Sequence, residues 1–518
     1  MYQRIEILEN KTKLNMRILV ILLSGLIGLT AAGQETNQSQ PLSFDEALQK
    51  ALLQNETLQQ SVMHQREREH ELKAARALRL PQISVAASYM MLSDDVSIDM
   101  TGVRDAITPL YGALSQFGNF SNVPNPDAAT SGMMPVLPDN IGTTAVREQL
   151  KNGLLKIENT DWNTVLQQKN FGMVSTGVVW PLFTGGKINA ANRAARLRVD
   201  ESSLKERQKR GALYSELTQR YFGLALAYQV KEVREEVLNA MQMHLSDAEK
   251  LYEEGIVAKA ELLHAQLYHA QSEREYKKAE RDYKVINESL RNTLAEDEEI
   301  RFTPITSLFY LKEIESSDFF KQMARVDNPQ LLEIASKQNL AKEGVHAERS
   351  SFMPTIAAMG NYNIVDYQLA HAMPDYMAGI TLSWKIFGGG ATHHKYKAAR
   401  LVEDQVQHIY YKATRDIETG IEKYHQEIHL ALEQLEELET AKKFAAEYYR
   451  IRHQAFLEGV ATSTEVVDAS LAVTKVKIEQ LQAAYQYEVA LAQMLELAGI
   501  PEQFNHYRND INTIQLNQ

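Results

Sequence analysis

Two stretches of the chain repeat apolar residues every three or four positions with no proline to interrupt them. From Ile188 to about Glu253 the seam runs through Leu213, Leu217, Tyr221, Leu224 and Tyr228, the spacing of a helix that packs along one face. Such a helix would be about 100 Å long at about 1.5 Å per residue, longer than a compact globular domain accommodates. Returning helices are predicted from Glu261 to Glu296 and from Glu465 to Ala498, after Gly255 and Gly459, residues able to take the positive φ of a reversal. Asn328 to Arg349 reads as a further helix. Elsewhere the period falls to two. Ile83, Val85, Ala87 and Tyr89 alternate with Ser84, Ala86 and Ser88, and Ala378, Ile380, Leu382, Trp384 and Ile386 with Met377, Gly379, Thr381, Ser383 and Lys385. Strands of about ten residues with one apolar face, ended by Trp, fit a membrane barrel wall. A strand half-buried on a soluble core alternates in the same way.

These patterns occur twice. Trp180-Pro-Leu-Phe-Thr-Gly-Gly-Lys187 returns as Trp384-Lys-Ile-Phe-Gly-Gly-Gly-Ala391, and Tyr252-Glu-Glu-Gly255 as Phe456-Leu-Glu-Gly459, both displaced by 204 residues. Upstream, Asn55, Leu58, Pro81 and Tyr89 pair with Asn328, Leu331, Pro354 and Tyr362 at a displacement of 273, so 69 extra residues lie between Tyr89 and Trp180. The chain therefore divides into a first repeat (34–299), a connector (300–327), a second repeat (328–500) and a polar tail (501–518). Each repeat reads helix, strand, loop, strand, long helix, turn, long helix. The extra region, about 90–170, holds five of the 13 prolines and reads as a long loop, with a small inserted domain as the alternative. Gly185, Gly186, Gly388, Gly389 and Gly390 lack phosphate-loop spacing and read as hinges where strand passes into helix.

Composition narrows the function. The 518 residues contain no cysteine, which excludes disulfides, thiolate catalysis and Cys-ligated metals. The net charge of −12, without a Lys/Arg-dense run, argues against nucleic acid as a partner. Residues 1–33 carry four basic side chains, the apolar run Ile18 to Leu29 and small residues up to Gly33, the pattern of a secretory signal peptide. An exported chain with no spanning helix is either soluble outside the cytoplasm or part of a β-barrel. Four short strands cannot close a barrel, because the smallest have roughly eight; three copies giving twelve strands is the simplest closure.

In order and spacing, the segment Leu42-Ser-Phe-Asp-Glu-Ala-Leu48, the paired Trp-x-x-Phe-x-Gly-Gly segments, the Tyr/Phe-x-x-Gly tips and Gly499-Ile-Pro501 resemble the TolC-like outer membrane efflux proteins. The resemblance implies a homotrimer with a 12-stranded β-barrel, four strands per chain, continued by a long α-helical periplasmic barrel with an equatorial belt. It implies a passive conduit in the bacterial outer membrane of a tripartite efflux or type I export system. The implied partners are outer-membrane lipid, a periplasmic adaptor (membrane fusion) protein and an inner-membrane pump; no catalysis and no cofactor are implied. Carried over from the tip glycines, the acids of the periplasmic gate fall at Glu465 and Asp468 and, in the first repeat, Glu261. Three symmetry-related carboxylates at a narrow mouth would attract cations and resist dry closure, whereas acids at a helix start are also favoured by its dipole alone. The family's latching Arg falls at Ala461, and Phe456 replaces a Tyr. Gly255-Ile256-Val257 and Gly459-Val460-Ala461 expose small and apolar residues suited to an adaptor hairpin, or else only cap the turns.

His425-Gln-Glu-Ile-His429 lacks the glutamate that must directly follow the first histidine of a zinc protease, and His393-His394 reads as a surface pair. The alternative to a conduit is an exported structural coiled coil of the periplasm or cell surface.

Overall fold

The computed structural model describes residues 39–119, 123–136, 141–296, 300–370 and 374–516; the signal peptide expected at 1–33 lies outside them. In chain order, β1 (Ser39–Leu42), α1 (Phe44–Gln54) and α2 (Glu56–Ala77) precede β2 (Gln82–Met91) and β3 (Val96–Asp99). Then come α3 (Thr101–Ser115), α4 (Ile141–Asn159), β4 (Asn163–Gln167), β5 (Asn170–Phe183), α5 (Lys187–Glu253) and α6 (Lys259–Thr293). The connector holds β6 (Arg301–Pro304), β7 (Phe309–Tyr310) and α7 (Ser317–Asp327). The second half repeats the plan with α8 (Pro329–Ser350), β8 (Thr355–Tyr367), β9 (Tyr376–Ser383), α9 (Ala391–Leu457) and α10 (Ser463–Ala498), and closes with α11 (Phe504–Arg508) and β10 (Ile514–Gln515). The contacts divide the chain into a helical unit (1–72, 194–343, 399–518) and a sheet unit (73–193, 344–398).

In the sheet unit, β2, β5, β8 and β9 form an antiparallel sheet in the order β2-β5-β8-β9. Among the described residues its edge strands β2 and β9 pair on one side only. The apolar alternation becomes an uncovered face: Ile83 is 74% exposed and Ile380 72%, and Val85, Tyr89, Leu382 and Trp384 are exposed as well. β9 ends at Ser383, one residue before Trp384. Both displacements read from sequence persist in the bonds. Trp180 Nε1 donates to the carbonyl of Arg79 and Trp384 Nε1 to that of Phe352, each at 3.1 Å. Asn55 and Asn328 each accept on Oδ1 from the first turn of α2 or α8. Their Nδ2 groups donate to the carbonyls of Thr293 and Leu497 at the ends of α6 and α10.

Two expectations are corrected. The region 90–170 is not a long loop: β3 and β4 pair in antiparallel fashion, and α3 carries Tyr111 against Gly153 of α4. Its periodicity was obscured because α3 keeps Pro109 inside the helix. The connector is ordered, since β6 pairs in parallel with β1, and Asn287 accepts from the Phe302 N–H and donates to the Phe302 carbonyl. The tail after 500 is not merely polar. Phe504 is buried in a ring cluster with Phe44, Phe222 and Phe309, with centroids 5.5–5.9 Å apart, and β10 pairs with β7. Tyr221 joins that core to the connector, donating to the Leu42 carbonyl at 2.6 Å and accepting from the Thr306 N–H at 3.1 Å.

Glu488 of α10 is fully buried and holds β7 through the Phe309 N–H, 2.8 Å from Oε1. Burial pushes its carboxyl well above the usual carboxylate range. The neutral form thus contributes stability fully below the unfolded value of 4.5 and loses it as pH rises through the folded value. Glu488→Gln keeps the acceptor without the charge. It should melt higher than the parent at pH 8 by at least about 1 kcal/mol and match it near pH 4, as read by thermal unfolding.

At the strand-to-helix junctions Gly185 and Gly389 share a φ of +62°, but their surroundings differ. A Cβ on Gly185 would come within 2.6 Å of the Ser350 carbonyl oxygen and 2.7 Å of Met353 Cβ, whereas one on Gly389 meets open space. Gly185→Ala should cost ~2–3 kcal/mol and Gly389→Ala ~1 kcal/mol; equal losses in melting experiments would refute the crowding argument.

Candidate gate at the helix tips

The two tips are built alike, bond for bond. Gly255 (φ +75°) donates to the Tyr252 carbonyl and Ile256 to that of Leu251; Gly459 (φ +71°) donates to Phe456 and Val460 to Ala455. This is the six-to-one closure that ends a helix on a left-handed residue. The starts of the two returning helices differ. α10 begins with a capping box in which Thr462 Oγ1 accepts from the Glu465 N–H and Glu465 Oε2 accepts from the Thr462 N–H. α6 begins after Ala258, which has no capping side chain, and its Glu261 reaches out of its own hairpin. Glu261 Oε2 accepts from the Ser463 backbone N–H at 2.7 Å, satisfying a first-turn donor of α10 that has no partner within its own helix.

Ser463 is fully buried at the centre of the contact between the tips. Its Oγ lies 2.8 Å from His244 Nε2 and 3.2 Å from His264 Nδ1, and His264 Nε2 lies 3.3 Å from Thr464 Oγ1. Around it Ala248, Leu251, Ala265, Phe456, Ala461 and Val466 form a small separate core. The His244 ring packs 4.6 Å from that of Phe456. Burial, followed by the neighbouring His453, lowers its pKa to about 4.

The acids expected to ring the mouth therefore have different tasks. Glu465 is committed to the cap and to Arg452, whose Nη1 is 3.1 Å from Oε1. The Thr462 N–H, and then Arg452, hold its carboxyl below the usual range. Glu261 is committed to Ser463. Asp468 is exposed, with no hydrogen-bond partner among the described residues. The expected docking surface is smaller than the sequence suggests: Ile256 and Val460 are exposed, the latter 80%, but Val257 is half-buried and Ala461 is only 8% exposed, both turned into the tip core. The small side chain at 461 is what lets the two hairpins close here. Gly459 lies so near Ile256 that a Cβ on it would be 3.0 Å from Ile256 Cγ2.

With this geometry in view, the sequence profile of the outer membrane efflux proteins matches residues 158–296 and 321–500. The chain belongs to the outer membrane efflux protein family. Members are transport conduits rather than enzymes. No curated protein matches the sequence. Among solved structures the chain is similar to CusC (15% identity, TM-score 0.65, covering 91% of this chain and 95% of that one). It is also similar to VceC from Vibrio cholerae (13%, 0.62, 88% and 96%) and to the Campylobacter jejuni CmeC outer membrane channel (14%, 0.61, 93% and 95%). At these identities the likeness is one of fold.

In this efflux protein the profile covers both tips, yet Ser463, His244, His264 and Arg452 were not singled out by sequence reasoning. The spacing Thr462-x-x-Glu465 is the one local signal that marks this helix start as a capping box, and it was passed over in the sequence reading. The histidines carried no signal, because they meet Ser463 from 219 and 199 residues away.

The low pKa of His244 gives the tip a pH dependence. Neutral His244 contributes its stability fully above the unfolded value of 6.5 and loses it as pH falls through about 4. Protection factors for hydrogen exchange at the tips, taken relative to the intrinsic rate at each pH, should fall over this window by up to about 3 kcal/mol of local stability, and His244→Gln should flatten the response. A parent tip equally protected at pH 7 and pH 4 would contradict the burial of a neutral imidazole.

Proposed function

We propose that this chain is one subunit of a homotrimeric outer-membrane efflux channel, in which three four-stranded sheets close one twelve-stranded barrel and the helical unit forms a periplasmic passage gated at the tips. The observation that carries the reading is the sheet: two unpaired edges and a broad uncovered apolar face among the described residues. In water the face would drive aggregation, and in lipid the open edges would leave backbone groups without partners. Pairing edge to edge with further copies removes both costs at once. The alternative of an exported soluble coiled coil accounts for the helices but leaves that face unexplained. Family membership supports the same reading, and the 67-residue helices α5 and α9 are long enough to wall a passage.

At the tips, Glu261, Ser463, His244 and His264 hold the hairpins of one subunit together, and Asp468 supplies the exposed charge of the mouth. Ile256 and Val460 offer the apolar contacts for an adaptor hairpin of a tripartite assembly with an inner-membrane pump.

Detergent-extracted protein should run as a heat-modifiable trimer and conduct in planar bilayers; a detergent-free monomer would end the reading. Asp468→Asn should weaken block by trivalent cations added at the tip side severalfold while leaving melting unchanged. Unchanged block would remove Asp468 from the gate.

A further inference from the structure

The insertion between β2 and β5 presents its helices in an unusual orientation. Thr101, Arg104, Ile107, Thr108, Tyr111 and Ser115 of α3 are half-buried on the side toward α4. The hydroxyls of Thr108 and Ser115 are satisfied by the carbonyls of Arg104 and Gly112, which lets a largely polar face pack inward around Ile107 and Tyr111. The outward face is then the apolar one. Leu114 is 42% exposed at the edge of this face, and along it Val103, Ala106, Leu110, Ala113 and, in the turn after the helix, Phe117 are all exposed, Phe117 by 71%. Their spacing is three, four, three, four, the a and d positions of two heptads. Nothing among the described residues covers them.

We propose that this seam packs against the same seam of the two neighbouring copies, so that three α3 helices form a short parallel bundle capping the outer mouth of the barrel. The inference rests on the trimeric channel reading. Three observations favour a second copy over lipid as the occupant. A regular a/d seam is the pattern by which identical helices interlock about a symmetry axis, whereas a helix lying in a membrane interface needs a broader apolar face flanked by Lys, Arg or Trp. The only basic residue of α3, Arg104, lies on the α4 side and is paired with Asp105. The insertion also leaves from β2, the free edge at which the next copy must pair, and from the end of the sheet opposite to that where α5 and α9 begin. Subunit contacts made by the edge would thus continue into the helix. The insertion's α3 lies outside the residues that the family profile matches.

Because the chain has no cysteine, a single introduced thiol is unique. In the full-length protein in native outer membranes, Leu110→Cys and Val103→Cys should form disulfide-linked dimers on mild oxidation, approaching about two thirds of the chains, since three thiols at one axis join only two at a time. Asp105→Cys, on the exposed side away from the seam, should give less than about a tenth of that yield. Trimers on unheated gels without seam cross-linking would overturn the cap alone; absence of trimers would overturn it together with the channel reading. A bimane on the Leu110→Cys thiol that is quenched by brominated acyl chains would identify lipid as the occupant and also overturn the cap.

Discussion

A backbone N–H or carbonyl that meets neither water nor a partner costs several kilocalories per mole, and two whole strand edges of this sheet have no strand partner among the described residues. β2 and β9 carry the outer rows of an antiparallel sheet whose face is apolar along its length. A soluble protein would blunt such edges with charges, bulges or short strands, but here the strands are long and the edges bare. Pairing of those edges with identical neighbours, as proposed above, would complete the sheet.

The duplicated plan arises from the same constraint. Two copies of a strand pair joined to a helical hairpin give one sheet and two long helices, and the repeated Trp-to-carbonyl and Asn-to-helix-end bonds anchor each strand pair and each helix start in the same way. Where the copies diverge, the divergence has a use. α6 has no cap of its own, and Glu261, freed from capping, satisfies α10 instead. Of the two repeats, the first carries an insertion, which follows the edge strand β2.

Two of the buried polar groups have a clear structural reason. Glu488 holds β7 and His244 holds Ser463, both kept neutral by burial on helices of the helical unit. Each trades solvation for a bond that fixes the register of elements far apart in sequence.

The sequence by itself determined what depends on local periodicity. The helical seams of α5 and α9, the two-residue alternation of β2 and β9, the glycine reversals and the constant displacements between repeats could all be read, because a helix or strand repeats its geometry every few residues and its buried face must repeat with it. The four strands of the main sheet could be counted as well. Only the tertiary structure decided that Glu261 satisfies the start of α10, that Ala461 and Val257 turn into the tip core, that residues 501–508 and the connector are packed, and how the insertion packs. Each of these depends on partners some fifteen to more than four hundred residues away, as with Glu261 and Ser463 or Arg508 and Asp45, and no local pattern records which distant surface a side chain will meet.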